Sequence, residues 1–284
     1  MKLKPALQQL KKIKPPYATL FIATVLVAAY FFLSGGQPYI HPIESIDSLG
    51  VSSQNILGAV PYSFVHIGLK HLIGNVVVLL FIGTVLEQRI KPKHALGIYL
   101  ATGILAGIGN AIIHPDTWAV GASAAVTGLV TAAYVVDIKK ASIALVAGMV
   151  LVALVLFPAT DFTLNAMQET KAAGIAVQVE KMAGITTELS VLEQKVLAGT
   201  ATGEEVMRQQ ALSVESEARQ QQIQKDALEK EGVDEGRHVE TITPVSTHIH
   251  ILGILVALAY LAVVKPTAFQ LLRRDAKEML SWVK

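Results

Sequence analysis

The chain has 284 residues, of which 52% are hydrophobic and only 16% are charged, and its mean hydropathy is +0.49. Roughly a quarter of the residues in an ordinary soluble domain carry charge, so this composition excludes one. The sequence contains no cysteine, which excludes a disulfide framework, a thiolate zinc site and a cysteine nucleophile. The formal net charge of +2 conceals a separation, because residues 159–245 carry −7 and the remainder carries +9.

Six apolar runs follow one another along the chain, at residues 17–33, 64–86, 95–113, 120–136, 141–157 and 246–264. A transmembrane helix needs about 20 mostly apolar residues to cross a hydrocarbon core of roughly 30 Å. Several runs reach this length, and the first, fourth and fifth are slightly shorter. We therefore predict an all-α membrane protein with six transmembrane helices. Its membrane domain comprises residues 1–158 and the sixth span, 246–264, which a cytoplasmic tail, 265–284, follows.

The distribution of Lys and Arg predicts the orientation of these helices. With the N-terminus in the cytoplasm, 15 of the Lys and Arg residues lie on the cytoplasmic side, and outside the segment 159–245 only Lys70 lies opposite. Cytoplasmic loops are enriched in Lys and Arg, so both termini are expected inside and residues 159–245 outside. The first run is interpreted as a retained helix rather than a secretory signal, because no small-x-small pattern follows it. With no targeting segment recognised, we expect a prokaryotic plasma membrane.

Residues 159–245 form an acidic insertion of 87 residues between the fifth and sixth spans. Apolar residues recur there at helical spacing, at Ile175, Val179, Met182, Leu189, Leu192 and Val196. Gly199 to Gly203 interrupt this helix, and Thr202 with Glu205 forms a capping box for a second one. A weaker apolar stripe follows at Met207, Ala211, Val214 and Ala218. We predict an extracytoplasmic helical hairpin; a partly disordered acidic insertion is the alternative.

Polar residues within the spans are candidates for function, because burying them in lipid is costly. The second, fourth and sixth spans all begin at the outer face, which places His71, Ser123 and His250 within roughly one third of the membrane from one surface. A serine beside an imidazole is a nucleophile beside its general base. His71, Asn75 and the Ser123 backbone N–H could donate to a developing oxyanion. Glu87 and Asp137 lie at the cytoplasmic end, so the predicted machinery is a dyad.

Four sequence strings resemble the rhomboid family of intramembrane serine proteases: HIGLKHLIGN, FIGTVLEQR, GASAAVTG and HIHILGILVA. They lie on the second, fourth and sixth of the six predicted spans. The resemblance implies a rhomboid-like bundle and a serine endopeptidase that cleaves transmembrane or juxtamembrane segments of membrane proteins. It implies Ser123 as the nucleophile, His250 as the base and His71 with Asn75 as oxyanion-binding residues. Gly253 and Ala257 match the family's small residues that bring the sixth helix close to the fourth.

Three features depart from the family pattern. The Trp-Arg pair common in the first outer loop is absent from residues 34–63, and Thr127 occupies the place of an aromatic residue that commonly stacks on the catalytic imidazole. The third departure is the insertion, which replaces a short loop above the active site. We expect it to act as a lid or to bind substrate or a partner protein.

Other interpretations of the same residues remain open. The chain could be a catalytically inert rhomboid-like adaptor that binds transmembrane clients, whereas a transporter is disfavoured because no repeat relates its halves. His248 is a rival base, His250 could be a structural histidine, and His66 is interpreted as an interfacial residue. Without a His-Glu-x-x-His motif, no metal and no cofactor are expected. The expected partners are transmembrane substrates and the lipid bilayer, with no nucleic acid; Glu87 is expected to cap or pair a helix end.

Overall fold

The computed structural model describes residues 14–36, 48–115, 117–242, 247–270 and 272–274. The chain divides into two compact units, of which the first comprises Met1–Thr160 with Val239–Lys284 and the second comprises Asp161–His238. In chain order the helices are α1 (Tyr17–Leu33), α2 (Leu69–Glu87), α3 (Pro92–Ile113), α4 (Ser123–Val136), α5 (Ile138–Leu151), α6 (Phe157–Leu197), α7 (Gly203–Ile242) and α8 (Thr247–Val264). In the described ranges, strand-like pairing is confined to one antiparallel bridge between Val51 and Ala119.

Three of these helices are long and apolar enough to cross a membrane: α2, α3 and the continuous helix Ile138–Leu197, in which a π-helical turn at Val152–Leu156 joins α5 to α6. Helix α8 contributes a fourth candidate if it is counted together with the bent segment that follows it. Helices α1 and α4 are apolar but shorter. Long apolar helices of this kind are typical of an integral membrane protein. The number of six spans stays a prediction.

The structure moves three of the predicted helix boundaries. The second apolar run begins as a short 3-10 helix, Tyr62–Phe64, and α2 starts only at Leu69, so His66 lies in the preceding loop. The fourth run becomes helical at Ser123 rather than at residue 120, because Gly121 has a φ of +114° that no right-handed helix contains. The fifth helix continues without a break past residue 159 into the predicted insertion.

The core of the first unit lies between α1, α2, α3, α4 and α8. Helix α8 packs against α3 and α4, while α2 packs against α1, α4 and α5. The largest fully buried side chains of these five helices are Ile22, Leu26, Tyr30, Leu79, Ile82, Leu86, Ile98, Tyr99, Leu129 and Leu261. Lipid tails are as apolar as these side chains, so close packing within this core, rather than removal of apolar surface from water, holds the helices around α4 together.

Glu87 caps the start of α1 from the end of α2. Its carboxylate accepts hydrogen bonds from the backbone N–H of Ala18 (3.2 Å) and of Thr19 (2.7 Å) and from the Thr19 hydroxyl (2.6 Å). The first amides of a helix have no intrahelical partner, and a negative charge there is favourable. The predicted capping role of Glu87 is therefore confirmed.

The same end of the bundle carries an ion pair between the ends of two helices. Arg89 Nε donates to the Asp137 carboxylate at 3.0 Å, and Asp137 also accepts from the backbone N–H of Lys140 at the start of α5. Burial alone would raise the pKa of the Asp137 carboxyl, but the hydrogen bonds from Arg89 and Lys140 and the two positive charges lower it. Lys265, just after α8, donates to the Arg89 carbonyl oxygen at 2.6 Å. Helices α2, α4, α5 and α8 are thus tied together at one end.

The second unit consists of parts of α6 and α7, which run antiparallel. Three side-chain contacts show this direction, since Lys195, Glu188 and Gln178 of α6 meet Glu205, Arg208 and Arg219 of α7, respectively. Gly199, with a φ of +69°, ends α6. The predicted capping box is confirmed, because Thr202 N–H donates to Glu205 Oε2 at 2.8 Å and Glu205 N–H donates to Thr202 Oγ1 at 3.2 Å.

The predicted apolar faces of this hairpin are correct only in part. On α6, Leu192 is buried and Ile175, Met182 and Leu189 are half-buried, but Val179 and Val196 are exposed. On α7 the predicted stripe is wrong, because Met207, Ala211, Val214 and Ala218 are all exposed. The face of α7 that is shielded from solvent carries Glu205, Gln209, Leu212, Ser216 and Arg219. Polar contacts with α6 select this face, so apolar periodicity could not reveal it.

Candidate active site

Ser123 is the first residue of α4, and the segment before it is held by the loop that precedes α2, residues 48–68. Ala119 and Val51 exchange two backbone hydrogen bonds of 3.0 Å, and the Gly121 N–H donates to the Tyr62 carbonyl oxygen at 2.9 Å. The next amide, of Ala122, donates to His66 Nε2 at 3.4 Å. These contacts set the position at which α4 begins, and with it the position of Ser123.

The loop itself is anchored to α3 by two buried tyrosines. The Tyr62 hydroxyl donates to the Gly103 carbonyl oxygen at 2.7 Å, and the Tyr99 hydroxyl donates to the Ser63 carbonyl oxygen at 2.9 Å. Burial raises the pKa of the Tyr62 phenol, which therefore stays protonated and remains a donor. The position of the turn before Ser123 thus depends on a loop that is hydrogen-bonded to α3.

His71 lies against this turn. A Cβ atom added to Gly121 would come within 2.5 Å of His71 Cε1, so the imidazole occupies the space that a side chain at residue 121 would need. Asn75 follows one turn later on α2, is buried, and donates from Nδ2 to the His71 carbonyl oxygen at 3.0 Å. The structure brings His71 to the start of α4, while Asn75 uses one amide N–H within its own helix.

His250 reaches the same region from α8. Gly253, one turn further on, packs so closely that an added Cβ would lie 2.6 Å from the Ala124 carbonyl oxygen. Residues three apart share a helix face, so His250 lies on the side of α8 that faces the first turn of α4. Ala257, one turn beyond Gly253, is fully buried.

Ser123 and His250 are both half-buried. Within the described ranges the Ser123 hydroxyl forms no hydrogen bond, including none to His250. Thr127, one turn after Ser123, is also half-buried, and its carbonyl oxygen accepts from the Thr131 hydroxyl at 2.9 Å. The Ser123 hydroxyl therefore forms no hydrogen bond within α4.

Two further histidines that the sequence raised as candidates, His248 and His66, lie in different surroundings. His248 is exposed, and its ring lies 4.4 Å from that of His114, centroid to centroid, at the end of α3. His66, interpreted as an interfacial residue, is instead fully buried, and its ring meets that of His71 edge-on at 5.1 Å. Sequence reasoning missed its contact with Ala122; the five-residue spacing between His66 and His71 was the available signal.

No group of three or more His, Cys, Asp or Glu side chains that could hold a metal ion occurs among the residues that the structure describes. The chemistry that the described groups can perform around Ser123 is that of a hydroxyl, two imidazoles, an amide and backbone N–H donors.

Comparison with known proteins shows what part of this sequence resembles. The sequence model of the Rhomboid domain matches residues 53–187, a range that contains His71, Asn75 and Ser123 and ends before His250. Rhomboid-related protein 1 of Caenorhabditis elegans is 29% identical over 133 residues, which cover 42% of this chain and 37% of the relative. The match thus spans little more than a third of that relative, and no solved structure matches the chain. Together with the apolar helices, these matches indicate an integral membrane protein, part of which resembles the Rhomboid domain.

Proposed function

We propose that this protein is an intramembrane serine endopeptidase that cleaves transmembrane or juxtamembrane segments of membrane proteins. One observation carries the proposal: the contact between Gly253 and the Ala124 carbonyl brings α8 onto the first turn of α4. The His250 side of α8 then faces Ser123, while His71 lies against the Gly121 turn from α2. These two approaches support a site in which α4 supplies the nucleophile, α8 the base and α2 a hydrogen-bond donor.

In the proposed reaction His250 removes the proton from the Ser123 hydroxyl as the oxygen attacks the substrate carbonyl. The Ser123 N–H, His71 and Asn75 donate to the oxyanion of the tetrahedral intermediate. His250 then protonates the leaving amine, and the acyl-enzyme remains on Ser123. A water molecule, activated by His250, hydrolyses this ester and restores the serine. Catalytic hydrogen bonds often tighten only when substrate binds, which accounts for an unbonded Ser123 in the free protein.

The proposed architecture follows the sequence prediction. Six helices span the membrane, residues 1–158 and 246–264 form the membrane domain, residues 159–245 form the extracytoplasmic insertion, and residues 265–284 form a cytoplasmic tail. Arg89, Lys91, Lys140 and Lys265 lie at helix ends that this topology places in the cytoplasm, which supports the orientation. A prokaryotic plasma membrane stays a prediction, and a relative from an animal does not support it.

We assign the insertion a role as a lid or as a binding element for substrate or a partner protein. Its antiparallel helices, joined by ion pairs and a capping box, form a defined element rather than a loose linker. Replacing residues 165–240 by a short linker is expected to change the rate or the range of substrates cleaved. Unchanged kinetics on every substrate would reduce the insertion to a tether.

An inert adaptor that binds transmembrane clients is the second candidate. Thr127 favours it, because an aromatic residue at this place would stack on the catalytic imidazole and a threonine does not. The presence of Ser123 and of a histidine on the facing side of α8 favours the protease.

The test compares cleavage of a transmembrane substrate and labelling by a fluorophosphonate in detergent. Wild type is expected to cleave and to be labelled, and Ser123→Ala to do neither. Ser142→Ala is the matched control, since among the described residues the Ser142 hydroxyl bonds to the Ile138 carbonyl oxygen of its own helix. Labelling that persists in Ser123→Ala would contradict the assignment of the nucleophile. A wild type that neither cleaves nor reacts would favour the adaptor.

A further inference from the structure

His66 is a fully buried imidazole that the proposed reaction does not use. It lies between the 3-10 helix Tyr62–Phe64 and the start of α2, with Val65 and Ile67 buried on either side. A buried polar side chain is costly unless it is hydrogen-bonded, so its partners indicate what its position requires.

One partner of His66 is the residue before the proposed nucleophile. The Ala122 backbone N–H donates to His66 Nε2 at 3.4 Å. Because a backbone amide can only donate, Nε2 is the accepting nitrogen and carries no proton. His66 therefore acts as a neutral imidazole with its proton on Nδ1.

The second contact of His66 is with His71. The two rings meet edge-on, with centroids 5.1 Å apart and an angle of 70° between their planes. His71 in turn fills the space beside Gly121. One imidazole thus touches both the backbone that leads into Ser123 and the side chain proposed to bind the oxyanion.

The start of α4 depends on contacts of this kind. No side chain caps the helix at Ala122, and Gly121 has a φ of +114°. The loop 48–68 instead accepts hydrogen bonds from the preceding amides: the Val51 carbonyl accepts from Ala119, the Tyr62 carbonyl from Gly121, and His66 from Ala122. The Ser123 N–H is then the next amide in line, at a helix end where amides lack intrahelical partners.

We propose that His66 is a positioning residue of this protease: by accepting from Ala122 and packing on His71, it orients the Ser123 N–H and the His71 ring toward the oxyanion. The inference rests on the proposed function. His66 touches neither substrate nor nucleophile and acts through the turn and through His71.

The test uses three variants of the full chain. His66→Leu removes the acceptor, His66→Gln restores one near the position of Nε2, and His66→Asn places one near Nδ1 instead. Ser142→Ala is again the matched control, because the Ser142 hydroxyl donates to the Ile138 carbonyl oxygen of its own helix, α5. Cleavage kinetics, the rate of fluorophosphonate labelling, thermal stability and hydrogen exchange of the peptide 119–126 are measured for each.

His66→Leu is expected to lower kcat and the labelling rate about tenfold to a hundredfold with little change in KM, as for a misplaced reacting group. His66→Gln should recover most of this loss and His66→Asn should not, while Ser142→Ala should keep the rate of wild type. A rate in His66→Leu within twofold of wild type, or equal rescue by Gln and Asn, would overturn the proposal.

Hydrogen exchange separates this inference from the proposed function. If wild type reacts and Ser123→Ala does not, the protease stands and the His66 variants decide the positioning role. If wild type is inert, the proposed protease function is contradicted. Hydrogen exchange still reports whether His66 holds the Ala122 N–H in that case. Faster exchange in the 119–126 peptide of His66→Leu, reversed by Gln alone, is then expected. Unchanged exchange would show that His66 does not hold the turn.

Discussion

At the scale of the residue, the contact between Gly121 and His71 links backbone conformation to the proposed chemistry. The φ of +114° at Gly121 is one that residues with a side chain rarely adopt, and the His71 ring fills the space where a Cβ would lie. The same glycine therefore lets the chain turn into α4 and lets the imidazole approach Ser123.

We predict that Gly121→Ala abolishes most of the activity. The added Cβ would meet His71 Cε1 at 2.5 Å, so either the ring or the turn must move. A displacement of about 1 Å can cost on the order of a hundredfold in rate. Initial rates of cleavage and thermal stability should be measured together, with Gly174→Ala as the control, since nothing lies within 4 Å of its Cβ. Activity within threefold of wild type would contradict the prediction.

At the scale of the element, the second helix of the insertion, α7, buries a face that its apolar periodicity did not predict. Leu212 is 2% exposed, whereas Val214, two residues away, is 68% exposed. Two residues apart on a helix lie nearly on opposite sides, so only one can face α6.

Leu212→Ala and Val214→Ala form a matched pair that tests this register. Leu212→Ala removes a buried side chain and is expected to destabilise the hairpin by about 2–4 kcal/mol. Val214→Ala changes an exposed side chain and is expected to stay within about 0.5 kcal/mol. Hydrogen exchange of α6 and α7 in the full chain measures both. A larger loss of stability in Val214→Ala than in Leu212→Ala would show that α7 buries the face predicted from apolar periodicity.

The turn between the two helices is expected to respond to acid. A hydrogen bond from Lys195, followed by one from the Thr202 N–H, lowers the pKa of Glu205 from 4.5 to about 2. A carboxyl with a depressed pKa in the folded state stabilises it fully above the ordinary value, and this contribution is lost as pH falls. The start of α7 should therefore loosen between about pH 4.5 and pH 2.

Hydrogen exchange of residues 200–208, corrected for the intrinsic effect of pH, measures this response. Wild type should lose protection across that range, whereas Glu205→Gln should be less protected at neutral pH and show no such fall. Equal acid sensitivity in the two proteins would assign the effect to another group.

At the scale of the whole molecule, the proposed topology is testable because the sequence contains no cysteine. Single cysteines at Lys91, exposed at the start of α3, and at Ala198, exposed after α6, report opposite sides in that topology. Labelling of intact cells with a membrane-impermeant maleimide should modify Ala198→Cys alone, and permeabilised cells should allow both. The cysteine-free wild type controls for background. The reverse pattern would invert the orientation.

Local signals in the sequence determined most of the helices. Helix α1 coincides with the apolar run 17–33, and the Thr202–Glu205 capping box begins α7 as predicted. Such features depend on neighbouring residues, since length, apolar composition and caps act within one segment. The short strings around His71, Ser123 and His250 likewise sufficed to name the candidate site.

Tertiary structure decided what depends on segments far apart in the chain. The start of α4 at Ser123 follows from hydrogen bonds to Val51, Tyr62 and His66. The buried face of α7 follows from polar partners on α6, such as Gln178 for Arg219. No periodicity within one segment encodes these contacts, because each depends on a distant group that only folding brings within reach.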